Sequence, residues 1–304
     1  MKRNKLGKSD IYISQLTLGC MSLGTDLKKA TYIIDYALDQ GINHLDTADL
    51  YDFGKNEEIV GEAIKEKRDQ IVLTSKVGNH FNQQTKTWFW DPSKQHIHQS
   101  VKNSLQRLQT DYLDFYMLHG GTIEDPIDET IEAFEQLKQE GLIRAYGISS
   151  IRPNVIREYI KRSSIDGVMM QYSLLDRRPE EELLDLLYKN EISVLARGSL
   201  VKGILTSDGL NQIEAKAKGG YLDYSHDELN TLLKKLATIA PANVSELALR
   251  YVLTNPAVTS AVFGASSLTQ IKETISGKLE HKLSDDVFEQ LKLLTKANSY
   301  QTHR

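Results

Sequence analysis

The chain is nearly free of cysteine: Cys20 is the only one in 304 residues. A single thiol excludes an intrachain disulfide and suits a reducing compartment, so the cytoplasm is the expected location. No apolar run approaches the ~20 residues that a membrane helix needs. The first residues, Met1-Lys2-Arg3-Asn4-Lys5, are basic, but no apolar stretch follows them, which is not the pattern of a signal peptide. An excess of positive charge is missing too. A net charge of −4 and a pI of about 6.1 give no electrostatic case for binding nucleic acid or an anionic membrane. No Gly-x-Gly-x-x-Gly follows the first strand-like segment, which argues against a doubly wound dinucleotide fold. Linkers and low-complexity tracts are also lacking, so residues 1–304 read as one domain.

What the chain does have is an alternation of short β-rich runs with amphipathic segments. Strand-like runs cover Leu16–Gly19, Asn43–Thr47, Ile71–Lys76, Leu113–His119, Ile143–Ile148, Gly167–Gln171, Ile192–Arg197 and Val258–Phe263. Between them the apolar residues recur at helical spacing, as in Ala30, Ile33, Ile34, Ala37 and Leu38 before Gly41. Ser93 caps a helix that turns Ile97, Val101, Leu105 and Leu108 inward, and Asp128 caps one ended by Gly141. Further helices are expected over Glu57–Lys65, Pro153–Lys161, Glu180–Lys189 and Ser245–Thr254, with an irregular stretch from Arg197 to about Tyr224. Eight strands each followed by a helix predict an α/β fold, a closed (β/α)8 TIM barrel. Residues 1–15 are expected to form a short N-terminal hairpin plugging the barrel bottom, and residues 285–304 a C-terminal helical tail.

In such barrels, chemistry sits at the C-terminal ends of the strands. Asp46, Lys76 and His119 end the second, third and fourth strands, and Tyr51 lies just beyond Asp46. A phenol is a poor acid at neutral pH; an adjacent ammonium, itself paired with a carboxylate, makes it usable. Each of the four residues alone has a bland reading: a salt bridge, a surface tyrosine, a satisfied histidine. Together at one face they point to proton transfer.

These segments resemble the aldo-keto reductase family over nearly the whole chain. Asp46-Thr47-Ala48 with Tyr51, then Asn56-Glu57-Glu58 and Gly61, resembles the family signature around its catalytic tyrosine. Lys76 and His119 are similar to the other two members of its tetrad. Gly147-Ile148-Ser149-Ser150 and Gln171-Tyr172 resemble the segments that hold the nicotinamide carboxamide. Arg197-Gly198-Ser199-Leu200 through Lys202 and Gly203 resembles the loop around the cofactor pyrophosphate. Gly264 through Ser266 and Gln270, with Glu273, resembles the adenosine-phosphate segment. Gly19, Cys20 and Met21, at the first strand end, fall beside the same cofactor. The chain departs from the family pattern at Ser150, where asparagine is common, and at Arg197, where an aromatic is common. It also departs at Phe263, often proline, and near Ser266, often flanked by arginine.

The resemblance implies hydride transfer from NADPH, with NADH possible, to a small-molecule carbonyl substrate. Tyr51 would be the general acid. Lys76, paired with Asp46, would ease proton loss from the phenol, and His119 would orient the carbonyl. No metal is implied. A cofactor-sensing regulatory subunit is the alternative, since some family members serve channels in that way, and a zinc-dependent barrel hydrolase is a third reading.

Weaker signals remain. His96 and His98 form a His-x-His pair, but alternate residues on a helix diverge. Trp88, Phe89 and Trp90, in the loop after the third strand, either wall an apolar substrate pocket or lid the barrel. Cys20 reads as a small buried filler before a redox sensor. Gly219-Gly220 with Tyr221 and Tyr224 suits a flap hinge or a plain surface loop. Substrate identity and oligomeric state are not readable.

Overall fold

The structure, a computed structural model, describes residues 1–240, 243–277 and 279–304. In chain order the elements begin with β1 (Arg3–Lys5), β2 (Tyr12–Ser14), β3 (Leu16–Gly19), α1 (Leu27–Asp39), β4 (His44–Asp46) and α2 (Lys55–Ile64). Then come β5 (Val72–Val77), β6 (Asn79–Asn82), β7 (Thr87–Trp90), α3 (Lys94–Leu108), β8 (Leu113–Leu118), α4 (Ile127–Gln139), β9 (Ile143–Ser149) and α5 (Pro153–Arg162). The chain continues with β10 (Gly167–Gln171), α6 (Leu183–Lys189), β11 (Ser193–Arg197), α7 (Gly209–Lys216), α8 (His226–Ile239), α9 (Val244–Thr254), β12 (Val258–Gly264), α10 (Leu268–Ile275) and α11 (Asp285–Leu294).

The strands β3, β4, β5, β8, β9, β10, β11 and β12 pair in that order into a closed barrel, with β12 returning to β3. Every pairing in it is parallel. This is the expected (β/α)8 barrel. Local chemistry explains the helices around it. The Asp26 carboxylate accepts from the Lys29 amide and starts α1, which buries Ala30, Ile33, Ile34 and Ala37. Gly41, at φ +86°, lets the chain reverse into β4. Ser93 caps α3 as expected, accepting from the His96 amide.

Inside the barrel, Phe115, Met117, Ala145, Met169, Leu195 and Val262 pack with Leu6 and Ile13 from the N-terminal hairpin β1–β2. The hairpin is pinned to the lower strand ends. The Gly7 amide donates to Ser193 Oγ at 2.7 Å and the Asn4 amide group to the Thr259 carbonyl at 2.9 Å. Gly7 is required there: at φ +54°, an added Cβ would lie 2.1 Å from the Asp166 carbonyl oxygen. On the opposite strands, level with these residues, runs a buried polar chain. Thr17 Oγ1 bonds Ser260 Oγ at 2.6 Å and His44 Nδ1 at 2.7 Å, and His44 Nε2 bonds Thr74 Oγ1 at 2.6 Å. Burial, helped by Lys76, lowers the His44 pKa to about 3, so the imidazole is neutral at physiological pH.

Several expectations need correction. Asp128 is not the cap of α4: Pro126 holds that position, and the Asp128 carboxylate pairs with Arg162. The segment 180–189 is not one helix. A 3₁₀ turn over Arg178–Glu181 precedes α6, because the Glu180 carboxylate turns inward to accept from the Tyr172, Tyr251 and Arg177 side chains. The stretch before Tyr224 is not irregular throughout, since it carries α7. Helix α8 was not expected either, although Ser225 and Glu228 form a complete capping box at its start. The loop after the third barrel strand is the β-hairpin β6–β7.

Candidate active site

Strand register brings the site together. Gly19 lies opposite Asp46, Asp46 opposite Thr74, and Lys76 opposite Met117, all at the C-terminal barrel end. The His119 amide donates to the Val77 carbonyl at 2.7 Å, which extends the ladder one residue past β8. Tyr51 follows β4 on a turn where Asp52, Phe53 and Gly54 all have positive φ, at 49°, 52° and 89°. Two non-glycine residues in that region store backbone strain of the kind found at functional turns.

The Lys76 side chain is fully buried. Its ammonium lies 2.7 and 2.9 Å from the two Asp46 carboxylate oxygens, 2.8 Å from the Thr47 carbonyl and 3.3 Å from the Tyr51 hydroxyl. Burial alone would strip this charge; the Asp46 carboxylate, with Tyr51 adding to it, more than offsets burial and holds the Lys76 pKa above its ordinary value. The Tyr51 and His119 rings meet edge-on with centroids 5.7 Å apart. Burial lowers the His119 pKa to about 3, and the charges of Lys76 and Arg197 push the same way. His119 is therefore neutral and has one N–H to donate, and its Nδ1 is buried with no partner among the described residues. The arrangement holds a permanent cation against a phenol beside a neutral imidazole.

Asp46, Tyr51, Lys76 and His119 share a cavity of about 790 Å³ with Gly19, Met21, Ser149, Ser150, Arg197, Gly198, Gly264, Trp88 and Trp90. A second cavity of about 540 Å³ adjoins it and is lined by Ser199, Leu200, Lys202, Gly203, Ser266, Gln270 and Glu273. Met21, Ser22, Gly198 and Gly264 line both, so the two form one continuous trench. Gly264 keeps it open, since a Cβ there would lie 2.8 Å from Ser22 Oγ. The Ser207 amide donates to the Glu273 carboxylate at 2.7 Å and latches the segment after β11 across the second cavity.

Two expected cofactor residues, Cys20 and Gln171, do not line the trench with their neighbours. Cys20 is buried in the core, with its thiol directed to the Leu18 carbonyl, because the short 3₁₀ turn at Cys20–Ser22 points it inward. Burial also pushes its thiol well above the ordinary range, so it remains protonated. Gln171 lies beside the trench under Gly198, where its amide donates to the Tyr221 hydroxyl at 2.7 Å. Tyr221 and Tyr224 bridge each other in a tight loop around Gly220, and the Lys296 amide from the C-terminal tail donates to Tyr224 Oη at 2.6 Å.

The His-x-His pair diverges. His96 stacks on His80 of the hairpin at 4.7 Å and 11°, beside Asp91, while His98 faces away. One ligand atom from each of His80, Asp91 and His96 lies within 4.8 Å of the others.

Ser22, Asn79, Arg152 and Lys216 line the trench without having been expected. Lys216 was hidden because α7 was not anticipated. Arg152 directly follows the Ser149-Ser150-Ile151 segment and was readable as a charge placed at a helix start.

The aldo/keto reductase family model matches residues 15–296. The uncharacterized oxidoreductase YqkF of Bacillus subtilis is 53% identical over 306 residues, covering 100% of both chains. The NADH-specific methylglyoxal reductase of Escherichia coli is 32% identical, covering 94% of this chain and 95% of that one. Among solved structures, the holo form of the aldo-keto reductase AKR11C1 from Bacillus halodurans superposes with a TM-score of 0.95 at 51% identity, covering 100% of this chain and 99% of that one. With its fold, strand-end constellation and near full-length matches, the chain belongs to the aldo/keto reductase family.

Proposed function

We propose that the protein is an NADPH-dependent carbonyl reductase that turns aldehydes or ketones into alcohols. The observation that carries this reading is the buried Lys76 ammonium, fixed between the Asp46 carboxylate and the Tyr51 hydroxyl at the mouth of an extended trench. An elongated dinucleotide fits that trench. Arg197, Ser149, Ser150 and Asp46 would lie around its nicotinamide end. Gly198 through Gly203 would cover its pyrophosphate, and Ser266, Gln270, Lys202 and Lys216 would meet its far phosphate. The cofactor supplies the hydride.

The protein's part is proton supply and positioning. Tyr51 gives its proton to the alkoxide oxygen, and Lys76 stabilises the phenolate left behind. Neutral His119 donates a hydrogen bond to the carbonyl oxygen, which fixes its orientation without competing as an acid. Asp46 keeps Lys76 charged while buried.

NADPH is favoured over NADH through Lys202 and Lys216, though modestly, since neither is a forked guanidinium. Family membership leaves that choice open, because the 32% identical relative is named for NADH. The single buried cysteine suits a cytoplasmic enzyme. Among the described residues, no helix is long and apolar enough to cross a membrane.

Tyr51→Phe tests the reading. It removes the proton and leaves the ring, so turnover should fall by ~10²–10⁴, about 2.7–5.4 kcal/mol of barrier, with NADPH binding retained. A loss below tenfold, with single-turnover hydride transfer unaltered, overturns it. The regulatory alternative predicts NADPH binding without turnover of any aldehyde in a panel of carbonyl compounds.

A further inference from the structure

Arg152 occupies the N-cap of α5, where its side chain makes no capping hydrogen bond. That position favours a short acceptor such as serine, aspartate or asparagine, and a guanidinium accepts nothing. The helix dipole also opposes a cation there. Local stability therefore does not account for this residue.

Arg197, the other arginine lining the cavity, makes no ion pair among the described residues and lies at the nicotinamide end in the reading above; several arginines outside the cavity are paired. Arg144 meets Asp114, Arg157 meets Glu182, Arg162 meets Asp128, and Arg178 meets Asp176. Among the described residues, Arg152 makes no ion pair. Its side chain donates one hydrogen bond, Nη1–H to the Gly121 carbonyl at 2.5 Å, two residues past His119. The nearby Asp125 carboxylate is occupied. It accepts from the Thr122 amide at 2.6 Å and from the Thr122 hydroxyl and the Trp90 indole at 3.0 Å each. Arg152 thus brings a guanidinium with no ion-pair partner to the cavity that Tyr51, His119, Trp88 and Trp90 also line.

We infer that Arg152 is the anchor for an anionic substrate: the cavity takes carbonyl compounds that carry a carboxylate across an apolar or aromatic spacer. The carboxylate sits on the guanidinium donors not used by Gly121, the spacer lies against the tryptophans, and the carbonyl reaches Tyr51 and His119. The inference rests on the reductase reading above.

Two measurements keep the two readings apart. Trp88 and Trp90 are the only tryptophans in the chain, so intrinsic fluorescence reports on this cavity and needs no chemistry. Titration with 4-(hydroxymethyl)benzoate should quench it, and Arg152→Gln should weaken that binding about tenfold or more, the range for a hydrogen-bonded charge. Binding of the methyl ester should be far less sensitive to the change. In turnover, the kcat/KM ratio of 4-carboxybenzaldehyde to its methyl ester should fall about tenfold in Arg152→Gln, chiefly through KM, and recover partly in Arg152→Lys. Arg157→Gln, which removes the same charge elsewhere on α5, should leave the ratio in place. Equal binding of acid and ester to the parent protein, or a ratio indifferent to Arg152, overturns the anchor. Anion binding that depends on Arg152, with no turnover of either aldehyde, supports the anchor and overturns the reductase reading.

Discussion

Replacing Lys76 by methionine should do two separable things. The ammonium has three partners within 3.3 Å, and the Asp46 carboxylate is only 3% exposed. Removing one partner of a buried pair leaves the other uncompensated, a cost of ~3–5 kcal/mol. That cost depends on pH. Burial already raises the Asp46 pKa against the pull of Lys76, so without Lys76 it rises further. A carboxyl raised in the folded state makes stability fall as pH climbs from the ordinary carboxylate range toward the folded value, by up to ~1.4 kcal/mol per pH unit. Lys76 adds no slope of its own in that window, because its raised pKa keeps it charged until well into the alkaline range. Urea unfolding should therefore show a larger deficit at pH 8 than at pH 5. Asp46→Asn combined with Lys76→Met removes both charges and should recover most of the stability. Turnover should remain down ~10²-fold or more in both variants, since the phenolate has lost its counter-ion. A double variant that regains turnover with stability, or a single variant as stable as the parent at pH 8, would refute the reasoning.

Three more outcomes are expected. Arg197→Tyr should raise affinity for NADP⁺ more than for NADPH, because a guanidinium beside the nicotinamide disfavours its cationic form; equal changes in the two dissociation constants by fluorescence titration refute that placement. The NADPH-over-NADH ratio in kcat/KM should stay below about 100-fold, fall in Lys216→Gln and rise in Ser266→Arg, mainly through KM; a ratio indifferent to both variants removes these residues from the phosphate site. Asp49 is buried with neither side-chain oxygen partnered among the described residues, and burial, reinforced by Glu57, holds its pKa well above the ordinary value. It therefore makes the fold less stable as pH rises above the carboxylate range, and Asp49→Asn should flatten the pH dependence of unfolding over pH 4–7 by up to ~1.4 kcal/mol per unit; an unaltered slope means that Asp49 is ionised in the fold.

The barrel was legible because its signals are local. β8 reads Leu113 to Leu118 without a break and is buried throughout, and α3 announces itself with Ser93 and four apolar residues at helical spacing. The strand-end residues were legible for the same reason: a strand's last residue lies on a known face. What escaped depends on distant partners. The break before α6 follows from Glu180 meeting Tyr251, 71 residues away. Which way the Cys20 side chain faces is decided by a turn of three residues. The aromatic segment at Trp88–Trp90 resembled a loop, since only its pairing with Asn79–Asn82 makes it a hairpin. Arg152 carried a local signal, a cation at a helix start, but its lack of a counter-charge appears only in three dimensions.

The closure of the barrel has a consequence for how the chain is made. β3 lies near the start and its partner β12 near the end, with Gly19 opposite Gly264. A ribosome releases the first of these strands long before the second exists. Until β12 emerges, a growing chain presents two open edges, one on β3 and one on β11, each a row of unpaired amides and carbonyls of the kind that recruits foreign strands. The N-terminal hairpin is pinned at the lower end of the barrel, through Asn4 to Thr259 and Gly7 to Ser193. The two joints that β12 makes, to β11 and to β3, are the last that synthesis permits, and a nascent chain stalled between β11 and β12 is the species most in need of a chaperone.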